Sequence, residues 1–179
     1  MKGYKLIIKI LTVTAFVLII IMVSLNLHPS WSQYARSLHE PFLLAALSAI
    51  SGMFLIRSFT HKQRNRVLFT FKKISVRIEH LNRYAGFFFI GVLCTPVTHP
   101  EWYIETAHLI FTPLAIGFAH LELWFYYKKG VQRWGSLFGS VIGVLGFLGG
   151  LLTNVYTIGM GELLAALPII IHVLTTNKK

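Results

Sequence analysis

Six apolar runs, each closed by charged or polar residues, divide the chain. They cover about residues 6–26, 41–56, 78–98, 104–127, 134–153 and 159–176. A helix needs about 20 apolar residues to cross a hydrocarbon core of ~30 Å, and the runs reach or approach that length. The pattern predicts an all-α fold: a polytopic membrane protein whose six transmembrane helices form a single bundle over residues 1–179. The one sizeable connection is the basic loop 57–83. In it Leu68, Phe71, Ile74, Ile78 and Leu81 recur at three or four residues, with Lys72, Lys73 and Arg77 between them. That spacing predicts a short amphipathic cytoplasmic helix between the second and third spans, held on anionic inner-leaflet lipids.

Composition agrees with the pattern. The chain is 55% hydrophobic and 13% charged, where soluble domains are about a quarter charged. Lys2, Lys5 and Lys9 precede an uncharged stretch with no small-residue cleavage pattern, which predicts a retained first helix and not a secretory signal.

Charge sets the orientation. The formal net charge of +11 does not mark a nucleic-acid binder, because the basic residues sit at the ends of apolar runs. With six spans, Arg36 alone among the 17 Lys and Arg residues falls on one side. The crowded side is cytoplasmic by the positive-inside rule. Both termini are therefore expected inside a bacterial-type cell (inner) membrane, with Arg57 at the inner end of the second span.

Several chemistries are excluded. A lone cysteine, Cys94, gives no intrachain disulfide and no Cys-cluster metal site. There is no aspartate, hence no intramembrane Asp pair. Neither a Gly-x-Ser-x-Gly elbow nor a phosphate-cradling glycine loop is present. A His–Glu pair acting as acid and base on a lipid-like substrate stays compatible with the sequence.

Ionisable groups are expensive inside a bilayer and face the bundle interior. In the fourth run Glu105, His108, Thr112, Ala115, Ala119 and Glu122 recur at alternating three and four residues, which is one face of a helix. Glu105 and Glu122 are 17 residues apart, ~25 Å of helix. The sixth run repeats the pattern with Glu162, Ala165, Ile169, His172 and Thr176. In the third, His80, Tyr84, Gly91, Cys94 and Thr98 share a seam. Pro113 and Pro168 free the carbonyls of Leu109 and Leu164 beside these stripes. In the fifth run Gly135, Gly139, Gly143, Gly146 and Gly150 form a small-residue surface suited to close helix approach, within the protein or between subunits of an oligomer. Glu40, Glu101, Glu105 and Glu162 form an outer acidic rim. Glu105, His108, His99 and Glu162 would be the candidates for a divalent metal, but Glu105 with His108 at i, i+3 is the one pair at a recognised ligand spacing, too few for a metal site.

The helix carrying His108 and His120 resembles the haem-binding helices of b-type cytochromes. Those hold two histidines on one face, commonly thirteen or fourteen residues apart; here the separation is twelve, and the fourteenth position is Glu122. A haem b would have to draw on His108 or His120 with His172 or His80.

The expected function is a polar stripe that binds or conducts a proton, an ion or a small polar or amphipathic ligand. Its residues are Glu105, His108, Thr112, Glu122, Glu162 and His172. A haem electron-transfer subunit, with His108, His120 and His172 as ligands, is the first alternative. A non-catalytic accessory subunit packing through the fifth-run glycines is the second.

Overall fold

The computed structural model describes residues 3–24, 40–60, 63–72, 74–95, 101–127, 130–152, 165–172 and 175. Helix α1 runs Gly3–Ser24, α2 Glu40–Thr60, α3 Ile78–Cys94, α4 Trp102–Tyr126 and α5 Val131–Leu152. A sixth helical stretch, α6, covers residues 165–172. The chain is mostly helical. The exception is a pair of strands between α2 and α3, β1 (Val67–Phe71) and β2 (Ile74–Arg77).

That hairpin replaces the expected amphipathic helix. Val67 to Phe71 and Ile74 to Val76 are dominated by β-branched and aromatic residues, which suit a pleated surface. The pairing is antiparallel, with Phe71 opposite Ile74, Thr70 opposite Ser75 and Phe69 opposite Val76. Lys72, at φ 53°, takes the left-handed conformation that closes the turn. The three-residue spacing of Leu68, Phe71 and Ile74 is thus a by-product of two period-two strands read through a turn. Only Ile78 and Leu81 of that series lie on a helix, and both are buried in α3.

Each long helix packs on its neighbour in sequence, α1 on α2, α2 on α3, α3 on α4 and α4 on α5. One apolar core joins Ile8, Met53, Phe54, Ala85, Ala119, Leu123 and Ile169, drawn from α1, α2, α3, α4 and α6. A second joins Ala46, Leu47, Val92 and Ala115. Two glycines of α3 allow the close approach. A Cβ at Gly86 would stand 2.7 Å from Leu55 Cγ of α2, and one at Gly91 would stand 2.6 Å from Phe111 Cδ2 of α4.

The expected third-run seam is not an interior face. Tyr84 and Cys94 are exposed, Thr98 lies outside the described residues, and α3 buries Ile78, Leu81, Asn82, Ala85, Gly86 and Val92 instead. In α5, a Cβ at Gly135 would meet nothing within 4 Å.

The buried set is mostly apolar but also holds several polar and ionisable side chains, which are seldom buried unless paired. Arg57, Asn82, His108, His120, Glu122, Ser136 and His172 are buried, while Leu6, Ile10, Phe87, Ile110, Phe138 and Ile171 are exposed. Among the described residues, Trp102–Tyr126 is the one helix long and apolar enough to cross a membrane; Ala45–Thr60 is apolar but shorter. The six spans expected from the apolar runs are therefore not shown by length and hydropathy among the described residues.

Candidate functional site

On α4 the expected stripe turns inward. His108, Ala115, Ala119 and Glu122 are buried. Thr112 is half-buried, and its Oγ1 is a buried oxygen without a hydrogen-bond partner among the described residues. Thr12, Thr95 and Thr106 by contrast donate to the carbonyl four residues back. Pro113 follows Thr112 inside the helix and leaves the Leu109 carbonyl without its helical donor. The Glu105 side chain, Glu162, Leu164, His99 and Thr176 lie outside the described residues.

Glu122 meets two groups from distant helices. Arg57 Nη2 of α2 donates to Glu122 Oε1 at 3.1 Å. His172 Nε2 of α6 stands 3.0 Å from Glu122 Oε2 and 2.8 Å from Arg57 Nη2. All three side chains are 0–1% exposed. His172 Nδ1 lies 2.9 Å from the hydroxyl of Tyr127, and the rings of Tyr126 and Tyr127 both meet the imidazole edge-on. Tyr127 is the residue that caps the C-terminus of α4.

One protonation state of His172 cannot satisfy both neighbours of Nε2. A bare Nε2 accepts from Arg57 and leaves Nδ1–H to donate to Tyr127 Oη. A protonated Nε2 donates to Glu122 and no longer accepts from Arg57. The first arrangement carries Arg⁺, Glu⁻ and a neutral imidazole, so its net charge is zero, the cheapest form in which to bury three such groups.

Arg57 is the member that the sequence reading placed at a helix end. The helix continues to Thr60, and the guanidinium points into the bundle. A signal for this exists: Ala46, Ile50, Met53 and Arg57 recur at four, three and four residues, so Arg57 extends the inward face of α2. On α6, Ala165, Ile169 and His172 continue their seam in the same way, and all three are buried.

The other two histidines tie helices together. His108 Nδ1 donates to the carbonyl of Thr95, the C-cap residue of α3, one of the acceptors a helix end leaves orphaned. His120 Nε2 donates to the Ala165 carbonyl at 2.8 Å, and its Nδ1 lies 3.2 Å from Ser136 Oγ. Ser136 in turn donates to the His120 carbonyl at 3.0 Å. His120 therefore links α4, α5 and α6. His108 and Glu122 are 14 residues apart, ~21 Å along α4, so the structure gathers Glu122 and His172 and leaves His108 at the other end.

Of the histidines weighed as haem ligands, His120 and His172 have both ring nitrogens engaged by protein groups. Among the described residues no three His, Cys, Asp or Glu side chains converge as a metal-binding group. No protein-family model, curated protein or solved structure matches the chain, so the site stands on its own geometry.

Proposed function

We propose that the chain is a multi-pass protein of the cell (inner) membrane, with six spans and both termini cytoplasmic. In this reading the Arg57–Glu122–His172 cluster is a proton-binding site that moves a proton, or couples a proton to a small polar ligand. The placement of His172 Nε2 between Arg57 Nη2 at 2.8 Å and Glu122 Oε2 at 3.0 Å carries the proposal. Membrane location is supported by the buried ionisable groups together with the many exposed large apolar side chains, and by the one-sided distribution of Lys and Arg.

The proton step uses both imidazole nitrogens. From the tautomer with Nε2–H, that bond breaks as its proton passes to Glu122, while a proton from the Tyr127 hydroxyl forms an N–H bond at Nδ1; the ring then flips or exchanges tautomers to restore Nε2–H before the next proton. Tyr127 recovers a proton from the inner aqueous side. Beyond Glu122 the small and polar face of α4, through Thr112 toward Glu105, continues the route outward.

The test is proton uptake by liposomes containing the purified protein, driven by a potassium diffusion potential and read with an internal pH dye. Wild-type protein should exceed empty liposomes. His172→Gln keeps an amide between Arg57 and Glu122 but carries no transferable proton, and should return uptake to background. Wild-type uptake equal to that of empty liposomes sinks the proposal.

A further inference from the structure

The β1–β2 hairpin presents an amphipathic surface that the proton site does not use. Phe69, Phe71, Ile74 and Val76 share one face, while Thr70 and Ser75 share the other and meet through their hydroxyls at 3.1 Å. The apolar face is uncovered: Phe71 is 68% and Ile74 is 70% exposed. A two-stranded ribbon is marginal in water unless its apolar face is covered.

The hairpin is also fixed in place. Ile78 N–H donates to the Arg66 carbonyl at 3.2 Å and Glu79 N–H to the Arg64 carbonyl at 3.0 Å. Arg66 Nη1 donates to the Phe125 carbonyl near the end of α4 at 3.0 Å. The ribbon is thus pinned where α2 ends, α3 begins and α4 ends, beside the Tyr127 end of the proton site.

We infer that this hairpin is a membrane-surface anchor whose apolar face enters the inner leaflet and whose partner is anionic phospholipid. The inference rests on the membrane reading above. Charge favours a bilayer of negative headgroups. Between residues 61 and 83 there are seven Lys and Arg residues and one acid, Glu79, which already pairs with Arg77 at 3.6 Å. Lys72 sits at the turn with its ammonium 5.7 Å from the Phe71 ring centre. This sets a cation at the rim of the apolar face, as a side chain that snorkels from acyl chains to headgroups requires. The structure thereby changes the form of the anchor from a helix lying flat to a ribbon with one lipid face and one water face.

The experiment uses the full chain with exposed Cys94 replaced (Cys94→Ser) and one nitroxide label at a time, at Phe71→Cys, Thr70→Cys or Phe138→Cys. The proteins are reconstituted in vesicles of phosphatidylcholine or of a phosphatidylcholine–phosphatidylglycerol mixture. Relaxation by oxygen against a water-soluble nickel chelate reports lipid against water. The oxygen-to-nickel ratio should be severalfold higher at 71 than at 70. It should rise with phosphatidylglycerol, and Lys72→Glu should abolish that rise. If position 138 on α5 is in lipid while 71 is as nickel-accessible as 70, the hairpin is in water and the anchor is overturned. A label at 71 shielded from both reagents means that protein covers the face, and also overturns it. If position 138 is itself in water, the membrane reading fails first.

Discussion

Arg57 and Glu122, 65 residues apart in sequence, meet at 3.1 Å with both side chains almost wholly buried. The pair links α2 to α4, two helices that each pack on α3, at the level of His172. Removing one member leaves the other charged and sequestered, which costs more than the pair contributes.

Arg57→Gln should therefore lower stability by about 3 kcal/mol or more. Arg57→Met combined with Glu122→Met should recover most of that loss. Thermal or denaturant unfolding in detergent measures both. An Arg57→Gln protein as stable as wild type would show that the pair is not closed in solution.

Tyr127→Phe separates the hydroxyl from the ring. The aromatic contacts with His172 and Tyr126 persist, so stability should fall by only about 1 kcal/mol, the worth of one hydrogen bond. Proton uptake should fall by about a hundredfold, in the range of a lost acid–base group. Unchanged uptake with inactive His172→Gln would remove Tyr127 from the route and leave the cluster standing.

His120 offers the opposite test. His120→Leu removes the bonds to the Ala165 carbonyl and to Ser136 and should cost about 1–3 kcal/mol, whereas His120→Asn keeps a donor and should cost less. Uptake should survive in both, normalised to folded protein. Loss of uptake in a well-folded His120→Asn protein would move the proton route onto the α4–α5–α6 junction.

How much of this was legible in the sequence depended on which signal each residue obeyed. The inward α4 face followed from three-and-four spacing because a long helix offers no competing periodicity. The loop 57–83 misled because two short strands and a turn can imitate the same spacing; the β-branched and aromatic content of Val67 to Val76 was the better guide. Arg57 was hidden by its proximity to a helix end, where a cation is ordinarily solvated. Only its register with Ala46, Ile50 and Met53 gave it away. The meeting of His172 with Tyr127 and Arg57 is tertiary, and no local pattern encodes it.

The α3 glycines provide a packing prediction independent of function. Gly86→Ala and Gly91→Ala should each destabilise by about 1–3 kcal/mol, since Leu55 and Phe111 fill the space a methyl would take. Gly117→Ala on α4 meets nothing within 4 Å and should be neutral or stabilising by up to about 1 kcal/mol, through helix propensity alone. Equal effects at all three sites would mean that α2, α3 and α4 do not approach as described.

The distances along the chain also fix a timetable. Arg57 is followed by Glu122 after 65 residues and by His172 after 115. Under the proposed topology, α2 leaves the ribosome and enters the bilayer long before either counterpart exists. Arg57 stands three residues short of the end of α2, close enough for its guanidinium to reach the inner surface while it waits. In that topology the arrival of α4 would draw it inward, and α6, made later still, would latch over it. The cluster is then a late assembly event and not an aid to insertion. A chain halted before residue 165 should have its first five helices inserted and Arg57 still labelled by a water-soluble guanidine reagent, whereas the complete chain should not.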